Sequence, residues 1–381
     1  MRIVVAGAGI GGLTAGIAMR RVGHEVVVLE RVPRIEPVGA GISLHSNAVE
    51  ALRRIGVDEA VSRAGAPIWR GSIGTADGRE LQSSDMRPLT RELGQPDGVA
   101  LHRAALQDAL REAFDGELRL GVAVTGWRGD AGLVVESDAG PVEGDALVGA
   151  DGIHSAVAAR IRGASAPRYS GYIAWRGVTE VEVPELPLGT GIERSGRGQR
   201  FGGIRIGDGR VYWFATANGP PGHAPSIHER FAGWAEPVPS LLAATPPERI
   251  LRNDIVDRPP DDRWGDGPVT LLGDAAHAMT PNMGQGACQA IEDAVVLAEC
   301  LRSDPVADLR RYEALRRERA LWFVRTSWDL GRLGQWSNPL AVRLRDLAMG
   351  LPGADRLAQP SLRRMLRFPY DTPALDAARQ G

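Results

Sequence analysis

Lysine is missing from the 381 residues, so every cationic Lys/Arg position is arginine. That excludes a lysine Schiff base and the phosphate-binding lysine of a P-loop. Cysteine is nearly as scarce: Cys288 and Cys300 supply neither a disulfide framework nor a cysteine-rich metal site. The seven histidines show no HExxH or comparable ligand spacing, so no metal is expected. No run approaches the roughly 18 apolar residues of a membrane span. The apolar start, Met1–Val5, breaks at Gly7 before a signal-peptide core is complete, and a cytoplasmic protein is expected. Net charge is small as well, −2 overall, which argues against nucleic acid or an anionic membrane as the main partner.

Glycine is what the chain has in excess, 48 residues, which implies many tight turns or close backbone approaches. The 43% hydrophobic content is ordinary. At about 150 residues per domain the length suggests two domains, each with its own core.

The first thirty residues carry the clearest local signal. Ile3–Ala6 reads as a buried strand, Gly7-Ala8-Gly9-Ile10-Gly11-Gly12 as a turn, and Leu13–Val22 as a helix closed by Gly23. His24–Leu29 is a second strand, ending at Glu30. Together these form a dinucleotide-binding βαβ unit. Gly7 permits the turn, Gly9 lets the main chain approach a pyrophosphate, and Gly12 lets the helix pack on the strand. Glu30 is placed to accept from ribose hydroxyls. The motif alone leaves NAD and FAD both open.

Further on, Arg34–Gly41 reads as a loop, Ser46–Ile55 as a helix capped by Ser or Asn, and His102–Phe114 as a helix. A hairpin turns at Gly129–Gly132, and Ala146–Ala150 is a strand. Ile173–Val178, Gly198–Ile206 and Arg210–Ala215 read as antiparallel sheet. Val269–Leu272 returns to a parallel-type strand, followed by helices at Gly286–Leu301 and Asp308–Leu330. The tail is helical, then irregular at Pro360 and Pro369, and its amphipathic Leu340–Leu347 stretch reads as tail packing rather than membrane contact. The fold expected is therefore α/β: a Rossmann-like domain (1–70, 100–168, 264–330) interrupted by a mostly antiparallel sheet domain (71–99, 169–263), with a helical tail over 331–381.

Two further motifs follow the glycine turn, Gly149-Ala150-Asp151-Gly152 and Leu271-Leu272-Gly273-Asp274, the latter running on to Pro281-Asn282-Met283-Gly284-Gln285-Gly286. Together with the turn they resemble the class A flavoprotein monooxygenases, built like para-hydroxybenzoate hydroxylase, over most of residues 1–330. Tyr169–Gly177 is similar to the branch that hydroxylates salicylate, nicotinate and urate. The resemblance implies non-covalent FAD, with Gly7, Gly9, Gly11 and Gly12 at the pyrophosphate and Glu30, Arg31 and Val124 at the adenosine. It adds Arg103, Asp151 and Asp274, and puts Pro281, Gly284, Gln285, Gly286 and Ala287 at the ring. One departure stands out: Ala158 occupies the place of a customary arginine, with Arg160 two residues on.

The implied reaction is hydroxylation of a small aromatic substrate with O2 and NADPH or NADH, through a flavin C4a-hydroperoxide, by a monomer or homodimer. Epoxidation or Baeyer–Villiger insertion on a polyketide or antibiotic, a flavin reductase, and a non-catalytic binder on the same scaffold remain alternatives. Arg200 and Tyr212 are the polar candidates on the sheet that would roof the flavin, or else they stabilise strands. Arg200 suits an anionic substrate and Tyr212 a phenol. His45 is a candidate substrate contact, while His277 and Cys288 read as structural. Trp175 and Trp213 line the pocket or fill the core.

Overall fold

Arg2–Ala6 is buried on both faces and therefore lies at the centre of a parallel sheet. In the computed structural model, which describes residues 1–36, 39–129, 132–223 and 225–380, its neighbours are Glu25–Glu30 and Ala146–Gly149, with Ile3 opposite both Val26 and Ala146. Glu117–Leu120 and Val269–Leu271 extend the sheet in parallel, and Gly265–Asp266 adds an antiparallel edge. Helices Ile10–Arg21 and Gly286–Cys300 pack on each other beside this sheet.

The inserted sheet has seven strands, in the order Leu251–Asp257, Arg168–Val178, Val211–Asn218, Gln199–Arg205, Thr190–Ser195, Arg70–Thr75 and Glu80–Asp85. All pairs are antiparallel except Thr190–Ser195 with Arg70–Thr75. Strand alternation sorts its side chains. Trp175, Phe201, Trp213 and Ala215 face a core completed by Phe231, Trp234 and Leu241. Both tryptophans are therefore core: Trp213 stacks on Phe201 at 5.4 Å and donates to Thr245. The opposite face carries Tyr172, Arg200, Tyr212 and Phe214.

Several local readings need correction. The Ser46–Arg54 helix is preceded by His45 without a side-chain cap, because Asn47 is drawn into a buried network instead. Gly41 opens a strand, Gly41–Leu44, that pairs with Gly98–His102, while Pro37, Val38, Asp130 and Ala131 lie outside the described residues. The Asp308 helix begins earlier, at Pro305, because Asp304 caps it, and it runs to Gly334. Pro360 sits inside the helix Ala354–Leu366, on an exposed stretch where water can satisfy the carbonyl that it leaves free. In the helix Pro339–Met349 only Val342 and Arg345 are buried, and the leucines expected to pack face outward.

Candidate active site

The glycine turn is built by close approach. A Cβ on Gly12 would sit 1.9 Å from the Gly7 carbonyl oxygen, and one on Gly7 would meet the Ala150 carbonyl at 2.5 Å, with φ at +103°. A Cβ on Gly9, by contrast, would meet nothing within 4 Å, so that residue faces open space beside the helix N-terminus. Glu30 accepts from the Ala8 and Val32 amides at 2.7 and 3.1 Å, which ties the second strand to the turn. A carboxylate has four acceptor sites, so two bonds leave capacity for ribose hydroxyls. The Val122 amide donates to the Glu30 carbonyl, bringing the segment before Val124 alongside; Arg31 is exposed at the same end. Gly11 serves packing: its missing side chain admits Leu272 and Ala290.

Asp151 has a different occupation from the one expected. One carboxylate oxygen accepts from the Ala156 and Val157 amides and so holds the start of the Ala156–Arg162 helix, while the other is buried without a partner. Burial pushes this carboxyl above its usual range. Arg160 does not take over from Ala158, since its guanidinium lies over the Trp127 ring at 4.4 Å.

The floor of the cleft is the Gly273–Asp274 turn and the start of the Gly286 helix. Asp293, fully buried, accepts from the Gly273 amide at 3.0 Å and from His277 at 2.6 Å, fixing that turn. Asp274 is open to solvent yet ringed by protein, and that desolvation raises its pKa against the pull of His277 and Arg103. Arg103 is exposed and has no acidic partner among the described residues. A Cβ on Gly286 would meet only Asp274, at 3.9 Å, so the helix N-terminus with its free amides at Gly286 and Ala287 faces the same space. Pro281 and Gly284 are exposed beside it. The Gln285 side chain turns inward to Asn47 and Gln289, leaving only its backbone for a ligand. A cradle with open space at Gly9 and Gly286, acids at Glu30 and Asp274, and a helix N-terminus at each end fits FAD.

Opposite lies the inner face of the seven-stranded sheet. Arg200 is 4% exposed, paired with Glu193 at 3.2 Å and bonded to Asn282. Asn282 also accepts from Tyr172 and donates to Thr280 and the Ser327 carbonyl, so it clamps the sheet to the Pro281–Gly286 segment. Asn282 lies within the third motif, but its role is not legible there, because Ser327, Arg200 and Tyr172 are 45, 82 and 110 residues away. Tyr212 packs against Gly41, where a Cβ would come within 2.3 Å of it. Burial raises the Tyr212 pKa against the opposing pull of Arg176 and Arg103, so the phenol stays protonated.

His45 faces Gly284, with its imidazole 3.3 Å from where a Cβ would stand there. Burial pushes its pKa down to about 4, partly offset by the Met283 carbonyl. It is thus neutral in the physiological range, and it holds fewer protons folded than unfolded between pH about 6.5 and 4. Stability is therefore full above about 6.5 and falls as the pH drops towards 4, by up to about 3 kcal/mol. His45→Gln is expected to flatten the decline of Tm across that window; an identical slope in both proteins would contradict this placement.

The family described as FAD binding domain matches residues 1–187 and 253–327. The sequence is 46% identical over 379 residues to the aurachin C monooxygenase/isomerase of Stigmatella aurantiaca, covering 97% of this chain and 98% of that one. The FAD-dependent urate hydroxylase of Klebsiella pneumoniae is 36% identical over 334 residues, 84% of this chain and 86% of that one. The crystal structure of Klebsiella pneumoniae HpxO with FAD and uric acid matches with a TM-score of 0.88 at 31% identity, covering 96% and 97% of the two chains.

Proposed function

This chain belongs to the FAD binding domain family and is an FAD-dependent monooxygenase, and on that premise we propose that it inserts oxygen from O2 into an uncharged aromatic substrate. NADPH or NADH is the reductant. The state of Arg200 carries the substrate class: Glu193 already compensates its charge and Asn282 holds its geometry. An anion arriving there would have to displace the half-buried Glu193 from the buried Arg200. The rest of the inner face between Tyr172 and Tyr212 is formed by Ala174, Thr216, Gly202 and Phe214, together with Arg176, whose guanidinium donates to Asn253 at the margin.

FAD, when bound, supplies the redox chemistry, taking electrons from the nicotinamide and passing them to oxygen. Glu30 and Asp274 hold the ribose and ribityl ends, the Gly9 backbone admits the pyrophosphate, and the helix beginning at Gly286 stabilises negative charge on the ring. Tyr212 donates a hydrogen bond to a substrate oxygen and orients it; neutral His45 shapes the pocket beside Gly284.

The experiment is oxygen uptake and nicotinamide oxidation with the FAD-loaded enzyme, comparing neutral heteroaromatics with urate and salicylate. Neutral compounds are expected to stimulate both rates more than tenfold over the anions; preference for the anions overturns the substrate class. Tyr212→Phe is expected to lower kcat about 100-fold with flavin content unchanged. A second reading adds rearrangement of the oxygenated product, favoured because the name of the 46% identical relative pairs monooxygenase with isomerase. Product NMR separates the two.

A further inference from the structure

The C-terminal helices present an apolar row that nothing among the described residues covers. Leu340, Leu344 and Leu347 are 68%, 66% and 64% exposed, and Leu351, just past the helix, continues them. Their spacing of four, three and four residues puts them on one helical face, opposite the buried Val342 and Arg345. Exposed Trp336 stands at one end and Leu357, 86% exposed, on the next helix. A contiguous face of this kind marks an interaction surface.

Charge identifies the occupant. Residues 332–367 contain seven arginines and two aspartates; Arg345, Arg363 and Arg364 are paired with Asp346, Glu92 and Glu318, which leaves Arg332, Arg343, Arg356 and Arg367 outside the ion pairs among the described residues. Arg332, Arg343 and Arg356 are exposed and form no ion pair among the described residues. Arg343 borders the leucine row directly. Leucines and a tryptophan on one side with arginines at the margin is the pattern of a surface that lies in the interface of an anionic bilayer. A two-fold contact with a second copy would set these arginines against their own counterparts. The small net charge of the whole chain, which argues against a membrane partner, averages out this basic tail.

The row also continues from the site. Trp336 follows the helix end that covers Arg200 and Asn282 through Gly334 and Gly331, and its carbonyl accepts from the Gly198 amide. We propose that the outer face of residues 336–357 docks this enzyme on an anionic lipid surface, peripherally.

Sedimentation of the FAD-loaded full chain with phosphatidylcholine vesicles containing phosphatidylglycerol tests this. Binding is expected to those vesicles, to weaken with added salt, and to fall at least tenfold on phosphatidylcholine alone. Leu344→Glu with Leu347→Glu should also cut binding at least tenfold, with flavin content and Tm unchanged, since both side chains are exposed. Arg343→Glu should weaken it on anionic vesicles only. Wild-type protein that stays in solution with both vesicle types overturns the proposal. So does a concentration-dependent dimer dissolved by Leu344→Glu, which would assign the face to a second copy.

Discussion

Purified Gly12→Ala protein is expected to emerge nearly colourless and to bind added FAD at least 100-fold more weakly than wild type. The new Cβ would stand 1.9 Å from the Gly7 carbonyl oxygen, a backbone atom that cannot swing aside. Either the helix start or the glycine turn must open, and the amides that should meet a pyrophosphate move with it. Charge-assisted hydrogen bonds contribute about 1.5–3 kcal/mol each, so losing two accounts for at least that factor. Gly9→Ala is the informative partner. Its Cβ meets no protein atom within 4 Å, so the apoprotein should keep its Tm while FAD affinity falls. Flavin absorbance titration and apoprotein melting measure both. Wild-type affinity in Gly12→Ala would mean that the cofactor does not lie on this turn.

The second large effect concerns stability. Arg316 is fully buried and binds Glu292, Asp293 and Gln289, while Arg319 reaches the same Glu292. Burial alone would raise the Asp293 carboxyl, but His277 and the Arg316 guanidinium beside it hold it down at about 2. Arg316→Met removes one cation from beside two buried carboxylates, which costs about 3–5 kcal/mol and on the order of 10 °C in Tm. Because Asp293 also anchors the Gly273 amide, and Glu292 binds Asn47 beside Gln285, FAD affinity should fall along with stability. Glu292 keeps Arg319, so the stranded carboxylate is Asp293, and a companion Asp293→Asn substitution should recover part of the loss. Calorimetry of the FAD-loaded proteins reads these differences; a Tm within 2 °C of wild type would show that the network contributes little.

Much of this site was legible because the signals were local. The strand, turn, helix and acid of residues 3–30 declare themselves through spacing, and Gly273-Asp274 announces a strand end. Asn282, Asn47 and Glu193 were not legible as site residues, since their meaning depends on partners in other elements. The Ser46 cap failed for the same reason: Asn47 had a competing partner 238 residues away, in Gln285. Asp151 was expected beside the cofactor, and its carboxylate holds the start of the next helix.

Periodicity and glycine chemistry act over a few residues, so the sequence by itself determined the interrupted α/β plan, the antiparallel insert and the dinucleotide cradle. Burial and charge compensation act between segments that meet only after folding. Tertiary structure alone therefore decided that Trp175 and Trp213 are core, that Arg200 is already paired, and that His45 stays neutral. It also decided that the leucines of the tail face outward, because a helical stripe states which side is apolar but not whether anything covers it.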